Sequence, residues 1–183
     1  MNSKKRNDLP TVTLMMVMSA NGVVAQSSVE NSFEWNSAED KAQFIERVQS
    51  IGTVLMGSNT YRSIGGKPYE GVSFYVMSRH PEKFAPHPKV QFRQGTVESV
   101  LLELKRAGIQ QVGLLGGPQI NGQALRSGLV DDIYLTLEPL LMPNGLQITD
   151  KLDSRIDLRL ASSEALNDLK TLLLHYRVVH QND

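Results

Sequence analysis

Cysteine is absent from the 183-residue sequence. That removes disulfide scaffolds, thiolate-bound zinc or iron–sulfur sites, thiol nucleophiles and the Cys-dependent zinc deaminases together. An excess of either charge is also lacking, because 19 Lys and Arg stand against 19 Asp and Glu. A neutral chain gives no electrostatic reason to expect nucleic acid or acidic lipid as the main partner. The four histidines, His80, His87, His175 and His180, form no H-E-x-x-H or i, i+4 pair on a predicted helix, so no metal site is expected. No apolar run approaches the roughly 20 residues of a membrane helix. Lys4, Lys5 and Arg6 do precede the apolar stretch Val12 to Met18, and Val23-Val24-Ala25 has the small residues of a cleavage site. However, Asp8 and Pro10 interrupt the approach, and Ser19, Asn21 and Gly22 break the run. A buried first strand is the expectation, with the cytoplasm as default location.

What the chain does contain is enough for a normal core: 40% of residues are apolar and 21% charged. Residues 1–10 read as a loose tail and 11–183 as one domain. Thr11 to Ser19 is apolar on both faces, which suits a central strand, and Asn21-Gly22 closes it as a turn. After a polar loop (26–37) with the only tryptophan, Trp35, a helix is predicted from Ala38 to about Ile51. Ser37 is its cap, Ala38, Ala42, Ile45 and Val48 form its apolar stripe, and Gly52 ends it. Strands follow at Thr53 to Met56 and Val72 to Met77, then an irregular stretch from Ser78 to Pro88. Thr96 caps a helix with the stripe Val97, Val100, Leu101 and Leu104, stopped by Gly108. Val112 to Leu115 is a strand, Pro118 opens a further helix ending near Gly128, and Ile133 to Leu137 is a strand. Leu158 to Ser162 and Leu172 to Val179 read as a closing antiparallel pair. The alternation predicts an α/β three-layer sandwich, with a mostly parallel sheet and an antiparallel C-terminal edge.

In such sheets ligands collect at the carboxyl ends of the strands, against helix N-termini. Two junctions have that form: Gly57-Ser58-Asn59-Thr60, and Gly116-Gly117-Pro118. Taken alone, each reads more readily as a tight turn than as a phosphate site. Asp40 is the carboxylate of interest, and its two readings stay open. Ser37-x-x-Asp40 is a capping box, which makes Asp40 a helix cap. The functional reading places it five residues after Trp35, in a loop that could close over a pocket, to bind a substrate's ring N–H groups or help deliver a proton. Arg79 reads as a solvated arginine or a phosphate partner, and Thr136, in an otherwise apolar strand, as a β-branched filler with its hydroxyl satisfied locally.

Four stretches carry a resemblance. Val54-Leu55-Met56-Gly57-x-x-Thr60-Tyr61-x-Ser63-Ile64-Gly65 is similar to the first cofactor junction of dihydrofolate reductases. Leu114-Leu115-Gly116-Gly117-Pro118-x-Ile120-Asn121-Gly122 is similar to the second. It is closer still to the reductase domain of the bifunctional riboflavin-biosynthesis enzyme (RibD). The same is true of Met18-Ser19-x-Asn21-Gly22-x-x-Ala25 and Val130-Asp131-Asp132-Ile133-x-Leu135-x-x-x-Pro139-Leu140-Leu141. Their order and spacing agree from about residue 12 to 145.

The resemblance implies a dihydrofolate reductase-like fold and a nicotinamide cofactor, NADPH with NADH left open. It puts Gly57, Ser58, Asn59 and Thr60, and Leu115, Gly116, Gly117, Pro118, Gln119 and Ile120, around the cofactor phosphates. It puts Ser78 and Arg79 near the adenosine ribose, and Val17, Val24 and Ala25 along the nicotinamide. Asn21, Trp35, Phe44 and Thr136 fall with Asp40 on the substrate side, Asp40 being the catalytic candidate. The implied reaction is hydride transfer to a C=N of a pyrimidine- or pterin-like substrate, for example the phosphoribosylamino-uracil of riboflavin biosynthesis. A dihydrofolate or pterin reductase and a catalytically silent nucleotide-binding module are the alternatives. By analogy alone the chain is a homodimer. Three departures stand out: Ser58 in place of an arginine for the 2′-phosphate, Asn21 in place of an aspartate, and no acidic–proline insertion after Thr60. With no deaminase half in the sequence, a stand-alone relative between the two reductase groups is expected.

Overall fold

Strands that are apolar on both faces need cover on both sides, and the chain supplies it. The computed structural model describes residues 8–28 and 30–180. Its eight strands are β1 (Thr11–Ser19), β2 (Thr53–Gly57), β3 (Ser73–Met77), β4 (Val90–Arg93), β5 (Gln111–Leu114), β6 (Asp132–Glu138), β7 (Leu158–Ala165) and β8 (Leu172–Val178). They form one sheet in the order β4-β3-β2-β5-β1-β6-β8-β7. The strands from β4 to β6 pair in parallel, while β6–β8 and β8–β7 are antiparallel. This is the sandwich with an antiparallel edge that the alternation predicts, and the fold is dihydrofolate reductase-like.

Helices α1 (Ala38–Ile51) and α2 (Ser58–Ser63) lie over one face, and α3 (Val97–Arg106) and α4 (Pro118–Arg126) over the other. On the α1/α2 side Val54, Met56, Phe74 and Val76 pack with Val48 and Tyr61. On the α3/α4 side Leu14, Leu55, Val112 and Leu114 meet Val100, Leu101, Leu104 and Ala124. Alternate strand residues thus feed opposite layers, as the period of two requires. The α3 cap is reciprocal: Thr96 Oγ1 accepts from the Ser99 amide, and Ser99 Oγ accepts from the Thr96 amide.

Three expectations need correcting. Leu9 belongs to the α3/α4-side core at 5% exposure, so the described end of the N-terminal tail is packed rather than loose, while residues 1–7 lie outside the described part. The stretch after Pro88 holds β4, parallel to β3; four residues that include Gln91 and Arg93 carry too little apolar alternation to announce it. In α1 the predicted stripe is rotated, because Ala38 and Ala42 are exposed. Asp40 and Val48 are its buried residues, and Phe44 and Ile51 pack beside Val48. A polar group on the inner face disguised that stripe.

Candidate functional site

The two glycine junctions meet at the carboxyl ends of neighbouring strands. The Gly57 amide donates to the Gly116 carbonyl at 2.7 Å, and the Leu115 amide donates to the Leu55 carbonyl at 3.0 Å. Gly57 caps α2 and Gly117 caps α4, and neither offers a side chain to the first turn. The approach is close enough that a side chain at either glycine would press on its neighbour. A Cβ on Gly57 would lie 3.2 Å from Ile120 Cγ1, and one on Gly117 would lie 3.3 Å from Thr60 Oγ1. Gly116, between them, has φ of +92°, a left-handed value that glycine adopts without a steric cost. The Gly116–Gly117 peptide is cis.

Next to this cradle Asp40 is only 5% exposed. Its backbone amide donates to Ser37 Oγ at 3.3 Å, so Ser37 does cap α1. The capping box is not closed by Asp40, however. The Ser37 amide donates instead to Glu138 Oε1 at 2.7 Å, and Glu138 Oε2 accepts from Thr171 Oγ1 at 2.7 Å. Released from the box, the Asp40 carboxyl turns inward. Thr136 Oγ1 donates to its Oδ1 and Asn36 Nδ2 to its Oδ2, both at 2.5 Å. Burial raises its pKa above the ordinary 3.8; the Thr136 and Asn36 hydrogen bonds oppose this, Glu138 adds to it and Lys41 subtracts.

A cavity of about 1070 Å³ joins the cradle to Asp40. It brings together most of the residues singled out from sequence: Val17, Val24, Ala25, Asp40, Phe44, Gly57, Ser58, Asn59, Thr60, Ser78, Arg79, Leu115, Gly117, Pro118, Gln119, Ile120 and Thr136 all line it. Three lie off its surface. Gly116 is buried directly behind the cradle. Asn21 is exposed and clasps the Met142 backbone, accepting its amide at 3.0 Å and donating to its carbonyl at 2.8 Å. With the Ala25–Leu146 bridge, this holds the 20–25 turn beside the 140–146 segment. Trp35 is half-buried with its Nε1 buried and unpartnered among the described residues.

Several lining residues carry no local signal in the sequence. Arg47 projects from α1 with its guanidinium 3.6 Å from the centre of the Tyr134 ring, which is stacked on His175. Burial pushes the Tyr69 phenol up to about 12. Gly145, Leu146, Gln147, Thr149 and Asp150 form a wall from the long connection after β6. An i, i+7 relation of Arg47 to Asp40 on one helix face is the one cue that would have found the first of these.

The family described as the RibD C-terminal domain matches residues 73–170. The uncharacterized protein YwjB of Bacillus subtilis (strain 168) is 20% identical over 170 residues, covering 89% of this chain and 95% of its own. A pyrimidine reductase-like protein from Corynebacterium diphtheriae superposes with a TM-score of 0.78 at 16% identity, over 98% of this chain and 96% of that one. Dihydrofolate reductase from Enterococcus faecalis, complexed with NADP(H), superposes with a TM-score of 0.70 at 16% identity, over 94% and 97%.

Proposed function

Since the chain belongs to the RibD C-terminal domain family, we propose that it is an NADPH-dependent reductase that delivers a hydride to a C=N carbon of a pyrimidine- or pterin-like substrate. The observation that carries this reading is one continuous cavity with a bare-backbone cradle and a buried carboxyl on its wall. At about 1070 Å³ it exceeds the usual range of roughly 300–1,000 Å³ for a small-molecule site, which suits two ligands side by side.

The residues present fit a dinucleotide. A side chain on Gly57 or Gly117 would fill the cradle, and the helix starts there carry hydroxyls at Ser58 and Thr60. The exposed Arg79 at the rim is the cation for a 2′-phosphate, standing in for the arginine that Ser58 replaces. When bound, the reduced nicotinamide supplies the hydride. The chain supplies geometry and a proton. Val17 and Val24, both nearly buried, offer an apolar wall that excludes water from the reacting carbon. Protonated, the form that burial favours, Asp40 passes its proton to the C=N nitrogen, and as the carboxylate so left it accepts the substrate's ring N–H groups. Phe44 and Thr136 hold the ring against it.

Within the same chemistry, the Asp40–Thr136 pair beside Phe44 favours a pterin ring as the second reading. Dimerisation through β7 and a cytoplasmic location belong to the proposal as well. All eight residues of the outermost strand β7 are exposed, Leu158 at 43% and Leu160 at 52%, and a free edge carrying two exposed leucines calls for cover.

The test is a titration of the purified protein with NADPH and NADH, followed by thermal shift, because a ligand that binds only the folded state raises the melting temperature. Saturable stabilisation with NADPH preferred is the expected result. Oxidation of NADPH on adding dihydrofolate or the phosphoribosylamino-pyrimidine then separates the two substrates. No shift with either cofactor at millimolar concentration refutes the reductase and leaves the fold without its chemistry.

A further inference from the structure

Asn36 is not part of the cavity wall, yet the only side-chain hydrogen bond it makes among the described residues goes to the candidate acid. It is 6% exposed, its Nδ2 donates to Asp40 Oδ2 at 2.5 Å, and its Oδ1 is buried without a partner. Its backbone is fixed from both sides. The Asn36 amide donates to the Ser32 carbonyl at 3.0 Å, and the next residue, Ser37, donates to Glu138 at 2.7 Å. Glu138 is in turn held by Thr171, and Thr171 by Asn167. The chain β6–Glu138–Ser37–Asn36 therefore aims an N–H at Asp40 from a rigid frame.

We propose that Asn36 is the positioning residue for Asp40: its amide fixes the orientation of the carboxyl toward the cavity and favours the ionised form, acting from behind and never touching substrate. This rests on the functional reading above only for the use Asp40 makes of its proton; the Asn36–Asp40 coupling itself is independent of it. The groups facing Asp40 are Thr136 and Glu138 from β6 and Lys41 from its own helix, and the donor seated on Oδ2 is the Asn36 amide.

The experiment is a ligand-free pH titration of the Asp40 side-chain carboxyl by 13C NMR, assigned with Asp40→Asn. It is run on wild type, Asn36→Ala and the near-isosteric Asn36→Asp. A hydrogen bond to the charged form lowers a carboxyl pKa, so losing the donor should raise the Asp40 midpoint by about one unit, tenfold in the protonation equilibrium. Asn36→Asp should raise it further, in two coupled steps, because two carboxyls then share one proton. An unmoved Asp40 midpoint in folded variants overturns the proposal. So does failure of both variants to fold, which makes Asn36 a structural residue only. Since no cofactor or substrate is present, a shifted midpoint with no NADPH binding would sink the reductase and leave the Asn36 role standing.

Discussion

Thr136→Val removes one hydroxyl and almost no volume, and it isolates the contact that separates a buried polar partner from a β-branched filler. Thr136 is 3% exposed, and its Oγ1 donates to Asp40 Oδ1 at 2.5 Å. A hydrogen bond to a charged group contributes about 1.5–3 kcal/mol, and the orphaned oxygen is itself buried. In a domain of this size each kcal/mol moves the melting temperature by roughly 2–4 °C, so the expected drop near neutral pH is about 3–12 °C. The loss should depend on pH. Burial holds the Asp40 carboxyl above its ordinary 3.8 against the pull of Thr136 and Asn36. Deleting the Thr136 donor raises it further, because the ionised form loses its partner. The gap between wild type and variant is therefore complete where Asp40 is ionised in the folded protein, and it closes as the pH falls through its folded-state value. Differential scanning calorimetry across that range reads it directly. A loss that is the same at every pH, or a drop below about 1 °C, refutes the reasoning and returns Thr136 to the role of filler.

Gly117→Val should weaken NADPH binding at least about tenfold, measured by calorimetric titration, because even a Cβ there lies 3.3 Å from Thr60 Oγ1 and the branches must enter the cradle. Unchanged affinity would remove the phosphates from that junction. Arg79→Gln should lower NADPH affinity by about ten- to a hundredfold and leave NADH alone, as expected for one charge-assisted contact to the extra phosphate; equal losses for both cofactors would contradict it. Leu160→Glu on the exposed β7 should leave the melting profile of the monomer intact while sedimentation shows the loss of a dimer. A wild type that sediments as a monomer would dispose of the β7 interface.

Most of the scaffold is readable from local chemistry. The β1 limits, the α1 cap at Ser37, the reciprocal cap of α3 at Thr96 and the proline start of α4 are short-range effects of side-chain oxygens, glycine and proline on the adjacent backbone. The junction glycines are readable for the same reason, since strand–glycine–helix is a pattern of consecutive residues. β4 was not readable, being a short strand that exists because β3 offers it an edge. Nor was the inner face of α1, where a buried Asp40 takes a position that an apolar residue would have marked.

What the sequence alone determined about this protein is its order of elements, its two bare-backbone junctions and its lack of thiol chemistry. Which acid does what was decided only by the tertiary structure. Ser37-x-x-Asp40 reads as a capping box, and the sequence leaves that reading open beside the functional one. In the fold Glu138, 101 residues away, takes the Ser37 amide, and Thr136, 96 residues beyond Asp40, offers the hydroxyl that draws the carboxyl inward. Both Glu138 and Thr136 are distant in sequence from the start of α1, so local geometry cannot make the choice. The pairing of β6 beside β1, which places Glu138 and Thr136 next to the start of α1, makes that choice.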